Sequence, residues 1–305
     1  MDPLSDVLAL LNVEGAISAR LEVGGSWSIR FPVYRHVKFG AVLSGSCWIA
    51  VEGADMPVHL REGDCCLLAN GLPYVVSGEE ESEPVDVGAI VAPTAECVVR
   101  YGSEVPDTVV IGGDITFDEL NAGLLLDSLP PLIVVRGSSD LAQALRSALE
   151  LLAYETAAPR PASALMTGHL AHILFVQALR AYLGSLDAPS RAGWLSALTD
   201  PQIGASLVLM HEDLGRRWTV GELAAAVNMS RSSFAERFKT LVGVAPFDYL
   251  LQRRMQTAGQ ALRAGDRTVS AIASEWGYGS ESAFSNAFKR VMGHAPSHFR
   301  KAALH

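Results

Sequence analysis

Two stretches decide the fold: VGELAAAVNMSRSSFAERFKTLVGVAP, Val220 to Pro246, and VSAIASEWGYGSESAFSNAFKRVMGHAP, Val269 to Pro296. Val220 pairs with Val269 and Ala224 with Ala273. Past one extra residue in the second stretch, Phe234 pairs with Phe284, Phe238 with Phe288, Lys239 with Lys289, Gly243 with Gly293 and Pro246 with Pro296. One unit therefore occurs twice, about fifty residues apart. Each copy reads helix, tight turn, helix. Thr219 and Thr268 are placed to cap the first helices and Ser230 and Ser280 the second. Asn228–Met229 and Gly277 mark the turns, since glycine suits a left-handed residue. Small Ala224 and Ala273 stand where two helices cross closely. Phe234, Phe238 and Leu241, spaced i, i+4, i+7, predict one buried face, and Phe284, Phe288 and Val291 repeat it.

The opposite faces are polar, with Arg231, Ser232, Glu236 and Lys239 in one copy and Glu281, Ser282, Ser285, Asn286 and Lys289 in the other. A polar second helix behind a tight turn is the pattern of a helix-turn-helix that offers that helix to a DNA major groove. Between the copies, DYLLQRRMQTAGQALRAG predicts a connecting helix of about seventeen residues, ~25 Å long. That length can hold two reading helices near the ~34 Å repeat of the duplex. Charge supports a polyanionic partner. From Arg216 onward there are 13 Lys+Arg and 6 Asp+Glu, a balance of +7, whereas the preceding residues hold 11 and 27, a balance of −16, within a whole-chain charge of −9.

These residues resemble the AraC/XylS family of bacterial transcription regulators. The likeness covers about residues 200–305 and includes the ending GYGSESAFSNAFKRVMGHAPSHFR. The resemblance implies that one monomer carries two helix-turn-helix units and reads two consecutive major grooves. It also implies base-contacting positions at Ser232, Ala235 and Glu236 in the first reading helix, and at Glu281, Ser282, Ser285 and Asn286 in the second. An alanine touches only a thymine methyl, a glutamate suits cytosine N4, and an asparagine reads adenine. Arg231, Arg237, Lys239, Lys289, Arg290 and Arg300 suit phosphates.

The remainder of the 305 residues divides in two. With 49% hydrophobic residues, 27 Gly and 15 Pro, disordered, collagen-like and coiled-coil compositions are excluded. Residues 1–135 open with a short helix over Pro3 to Asn12, its Leu4, Leu8 and Leu11 at helical spacing. Short apolar runs such as FGAVL, CWIAVEG and CCLLA follow, punctuated by turn residues. They predict an antiparallel β-barrel or jelly roll. Residues 136–199 turn helical, with Leu141, Leu145, Leu149 and Leu152 in period and a second apolar helix from about Ser163 to Leu186. This pair must bury its apolar stripe either on the barrel or in a dimer interface, and is read as linker and dimerisation segment. The start has no basic region ahead of an apolar core, so it is not read as a signal peptide, and no transmembrane span is expected. The fold class is thus multidomain α+β: a cupin-like barrel with a helical segment, then an all-α double helix-turn-helix at 200–305.

The barrel resembles the cupin-type sensor domain at the front of one AraC subgroup, through MDPLSDVLALL, HVKFGAVLSGSCWIAVEG, LREGDCCLLANGLPYVV and DPQIGASLVLMHEDLGRRW. That resemblance implies a container for an effector, and Trp48, Tyr74 and His36 are its candidate pocket residues. The rival is a metal-dependent cupin enzyme. Such enzymes use clustered histidines, whereas Tyr74 stands where the second motif would carry one, and His36 and His59 are isolated. No catalytic residue, metal or cofactor is therefore expected. Cys65 and Cys66 point to opposite faces of a strand and read as small buried side chains, and His169 and His172 lack a third ligand. The whole predicts a cytoplasmic, DNA-binding regulator. Its expected partners are promoter DNA, a small-molecule effector, a second copy of the chain and, since activation is the commoner family behaviour, RNA polymerase.

Overall fold

Strand-forming runs and leucine-periodic runs become separate layers in the computed structural model. It describes residues 2–302 except 12, 36, 55, 80–82, 91–97, 118–124, 127, 159, 185–192 and 266. Contacts divide the chain into two units, one of Asn12–Asp118 with Leu129–Leu186, the other of Met1–Leu11, Glu119–Ser128 and Asp187–His305.

The strand-rich unit begins with β1 (Val13–Gly24), β2 (Ser28–Phe31), β3 (Val37–Ser44), β4 (Ser46–Val51), β5 (Val58–Arg61) and β6 (Cys65–Leu68). It continues with β7 (Tyr74–Ser77), β8 (Val85–Asp86), the short helix α2 (Val87–Ile90), β9 (Val98–Gly102), β10 (Thr108–Phe117) and β11 (Leu132–Val135). They form two sheets, ordered β11-β6-β3-β10-β1-β9 and β5-β4-β7-β2-β8. The two sheets fit the antiparallel barrel or jelly roll that the sequence predicts, with two departures. Strand β9 joins β1, and β8 joins β2, in parallel. Among the described residues no ladder joins the two sheets, which share one core that includes Trp27, Ile29, Ile49, Leu60 and Tyr74. Parallel edge pairs arise because β8 and β9 come back to strands far earlier in the chain, a long-range choice that alternating apolar residues do not encode.

Two helices cover the six-stranded sheet, α3 (Asp140–Thr156) and α4 (Ser163–Gly184). The Ser139 hydroxyl accepts the Ala142 N–H at 3.2 Å and so starts α3 at the predicted cap. Leu145, Leu149 and Leu152 are buried as their period requires. No described helix is long and apolar enough to cross a membrane.

In the helical unit, α1 (Pro3–Leu8) is capped by Asp2 and packs on α6 (Pro201–Glu212), which follows α5 (Trp194–Thr199). Of the predicted Leu4, Leu8 and Leu11, only Leu11 is buried; Pro3 and Val7 of the helix and Leu10 just beyond it are buried with it. The helix is turned so that Asp6 meets His211 on α6. Trp194 Nε1 donates to the Tyr249 hydroxyl at 3.0 Å. The Tyr249 O–H then donates to His211 Nε2 at 2.7 Å, which leaves His211 Nδ1–H to donate to Asp6 Oδ2 at 3.0 Å. A neutral imidazole satisfies every partner in this chain. Arg253, 2% exposed, adds a bond of 3.2 Å to the Asp6 carbonyl, and Gln260 one of 2.9 Å to the Ala9 carbonyl.

Burial and the Arg253 guanidinium push His211 down to about 4, outweighing the pull of Asp6 in the other direction. As pH falls below the imidazole's ordinary 6.5, the unfolded chain takes up a proton that the folded chain refuses, and stability drops until about pH 4. Urea denaturation followed by tryptophan fluorescence should show this loss between pH 6.5 and 4.5, and His211→Gln should make it shallower. An identical pH slope in the variant would contradict the assignment.

Candidate nucleic-acid interface

Each copy of the repeat is built by capping and by a left-handed residue at its turn. Helix α7 (Val220–Ala226) starts on a capping box in which Glu222 N–H donates to Thr219 Oγ1 at 3.1 Å and Thr219 N–H to Glu222 Oε2 at 2.8 Å. It ends where Asn228 takes φ 55° and Met229 N–H reaches back to the Ala224 carbonyl at 2.8 Å. Ser230 then accepts the Ser233 N–H at 3.2 Å to begin α8 (Arg231–Val242). The long α9 (Pro246–Ala264) leads to the second copy, α10 (Val269–Glu275) and α11 (Glu281–Met292), with α12 (Pro296–Ala302) closing the unit. There Gly277 takes φ 73°, Tyr278 N–H bonds the Ala273 carbonyl at 2.9 Å, and Ser280 caps α11. The extra residue of the second turn is Gly279, between these two anchor points.

The predicted i, i+4 phenylalanines are buried in both copies. The third buried position is Val242 and Met292, however, not Leu241 and Val291. The i, i+4, i+8 row is one of the ridges by which a helix packs into a neighbour's groove. On one side Phe238 lies 5.8 Å from the Tyr249 ring of α9. On the other, Phe284, Phe288 and Met292 share a core with Met255, Ala258 and Leu262 of α9.

Turning these ridges inward turns the other face outward. Arg231, Ser232, Glu236 and Lys239 of α8, and Glu281, Ser282, Asn286, Lys289 and Arg290 of α11, are exposed, while Ala235 and Ser285 are half-buried at equivalent positions. Arg231 lies over Gly221, where a Cβ would come 2.6 Å from its Nε. Ser232 meets the Ser230 hydroxyl at 3.2 Å. Arg231, Lys239, Asn286, Lys289 and Arg290 have no side-chain hydrogen bond or ion pair among the described residues, so their polar groups face solvent. Arg237 and Arg300, grouped with them in the sequence, are engaged by the protein itself. Arg237 Nη2 bonds Asp200 Oδ2 at 2.6 Å, and Arg300 donates to the Arg267 carbonyl. Asp200 caps α6. Burial pushes its carboxyl up, but the Ile203 N–H, Arg237 and the Gln202 N–H outweigh that and hold it below the usual range.

A second feature lies between the two sheets of the strand-rich unit, a cavity of about 220 Å³. Directly paired residues on neighbouring strands share a face, so the register defines rungs across the six-stranded sheet. Leu68, Lys38, Asp114 and Ile17 form an outer rung; Cys66, Gly40, Gly112 and Ala19 a middle one; Val42, Val110, Leu21 and Val99 an inner one. The middle rung has almost no side-chain volume, and the cavity occupies that gap. Of the predicted pocket residues, Tyr74 lines it. Trp48 does not: strand alternation sends Cys47 and Ile49 inward and Trp48 to the other face, where it stacks on His59 at 4.7 Å. His36 lies outside the described residues. Burial pushes the thiols of Cys47 and Cys65 up to about 12 and that of Cys66 higher, so all three stay protonated at neutral pH. Lys38, Asp114 and the glycine rung were not singled out from sequence, because only the register brings them together.

A family model described as Cupin matches residues 2–184, and one described as Helix-turn-helix domain matches residues 223–302. Two Streptomyces proteins, each named "Putative AraC-like transcription regulator", align over 99% of this chain. The one from Streptomyces lividans is 42% identical over 98% of its own length, and the one from Streptomyces antibioticus 41% identical over 99%. Among solved structures, the DNA-binding domain of AdpA in complex with a target DNA is 33% identical, covering 34% of this chain and 92% of that one at a TM-score of 0.32. With a cupin match followed in the chain by a helix-turn-helix match, and full-length relatives at this identity, the chain belongs to the AraC-like family of DNA-binding transcription regulators.

Proposed function

We propose that α8 and α11 enter two successive major grooves of a promoter, with base edges read by Ser232, Ala235, Glu236, Glu281, Ser282, Ser285 and Asn286. Arg231, Lys239, Lys289 and Arg290 neutralise the flanking phosphates. The observation that carries this reading is the matched exposure of the two helices, whose cations and amide have no partner within the described protein. A phosphate contact adds affinity on every sequence, whereas a base contact discriminates. Replacing Arg231 or Lys289 with Ala should weaken binding to cognate and random duplex alike and lower the salt slope by about one. Asn286→Ala should cost about 1–3 kcal/mol on the cognate site and little on random DNA. Titrating the full chain at several salt concentrations against its own upstream DNA and a scrambled duplex checks both. A uniform response to all three changes would contradict the division of roles.

The strand-rich unit serves as the sensor. An effector seated in its cavity has differential affinity for two states of the protein and so changes DNA occupancy. The cavity between the sheets supports this reading over a barrel that only dimerises. The chain acts in the cytoplasm, as an activator that contacts RNA polymerase, and not as an enzyme; the names of its full-length relatives support a regulatory role. Dimerisation uses α3 and α4, which expose Leu151, Tyr154, Leu165, Met166 and Ile173, a set of large apolar side chains on one helical pair. Leu165→Glu combined with Ile173→Glu should convert a dimer to a monomer in sedimentation equilibrium. A wild-type monomer, or a dimer unchanged by the substitutions, would contradict that assignment.

A further inference from the structure

We propose that the effector cavity takes a neutral, mainly hydrocarbon molecule of about nine non-hydrogen atoms with at most one hydrogen-bonding oxygen or nitrogen, and excludes carboxylates, phosphates and sugars. The inference rests on the sensor reading above and specifies its ligand.

Three features of the cavity select that chemistry. Its walls are apolar on both sheets. Leu21 and Val110 of the inner rung face Ile29, Phe31, Ile49 and Val76 across the gap. A sugar brings several hydroxyls, and each one buried without a partner costs free energy. These walls offer it few partners.

Second, the one cation on the wall is already neutralised. Lys38 Nζ sits 2.5 Å from Asp114 Oδ1 and 5.3 Å from the Tyr34 ring centroid, and its side chain is only 17% exposed. An incoming carboxylate would meet Asp114 as well as Lys38, so it would have to break the pair or accept a like charge beside it. A neutral ligand does neither.

Third, one polar group is left over. Tyr74 is 8% exposed, lines the cavity, and its hydroxyl has no hydrogen-bond partner among the described residues. Stacking on Phe31 at a centroid distance of 4.6 Å holds its ring. Burial, then Asp114, pushes the phenol well above its ordinary range, so the hydroxyl stays protonated and can donate or accept one bond. The empty middle rung sets the size. A Cβ at Gly40 would come 3.1 Å from Cys66 Sγ, so the thiol covers that glycine, while Gly112 and Ala19 leave the rest open. An apolar cavity of ~150 Å³ accepts benzene, and 220 Å³ scales to a molecule about half as large again. Entry is from the outer rung, where Ile17 is 67% exposed.

The test is isothermal titration of the full chain, without DNA, with p-xylene, p-cresol and indole as neutral probes and benzoate and glucose as controls. At least one neutral probe should bind one per chain, with benzoate and glucose at least tenfold weaker. Tyr74→Phe should weaken p-cresol several-fold and leave p-xylene unchanged. Cys66→Leu fills the middle rung and should reduce binding of the neutral probes at least tenfold. Ala19→Phe, at an exposed position of the same rung, does the same without changing the buried core. Tight binding of benzoate or glucose, no binding of any neutral probe, or unchanged affinity in both filled variants would overturn the proposal. Neutral probes that bind but leave DNA affinity unchanged would instead remove the gating role while leaving the ligand class intact. A charged or sugar ligand that shifts DNA affinity would do the reverse.

Discussion

Burial of a phenylalanine ridge in each copy of the repeat is the constraint on which the DNA-binding unit depends. Phe234, Phe238, Phe284 and Phe288 are all fully inaccessible. Burying such a side chain is worth roughly 1.5–3 kcal/mol, and truncating one to Ala in a packed core typically costs 3–5 kcal/mol. The energetics have a geometric consequence. Because both helices present the same i, i+4, i+8 row to the core, both present the same complementary row to solvent. The exposure of Ser232 and Glu236, and of Ser282 and Asn286, follows from where the rings go.

The turns convert that packing into a fixed angle. Asn228 and Gly277 occupy the left-handed region at the end of the first helix of each copy, and the residue after each reaches back five positions to a carbonyl. Asparagine tolerates this backbone less well than glycine but better than most residues. Serine caps then restart the chain two or three residues later. In the strand-rich unit, missing volume does the structural work. Gly40 and Gly112 are direct partners on β3 and β10, and their lack of side chains holds the sheets' interior open at one level while the inner rung stays packed.

The helical repeat was legible in the sequence because its signals are local. Caps, a left-handed turn residue and i, i+4 aromatics all lie within about twenty positions of one another, and the caps and turns stand where they were read. What failed there was finer: the third ridge position shifted by one residue, and Arg237 and Arg300 found protein partners through Asp200 and the Arg267 carbonyl, contacts across 37 and 33 residues. The strands were legible as strands, but their partners were not. The parallel return of β8 and β9 and the rungs that make the cavity are set by register between distant segments. Trp48 was misplaced for a simpler reason. An aromatic residue looks like a pocket wall, whereas alternation along β4 gives the inward positions to Cys47 and Ile49. The tie between Asp6 and His211, 205 residues apart, carried no sequence signal beyond a short amphipathic helix.

If α8 and α11 act as proposed, both engage one face of one duplex. Guanine N7 lies in the major groove, so its protection from methylation reports groove occupancy directly. With the full chain bound to its operator, the account predicts two protected patches centred about 10–10.5 base pairs apart on the same face of the DNA. A single patch, or two patches on opposite faces, would contradict it.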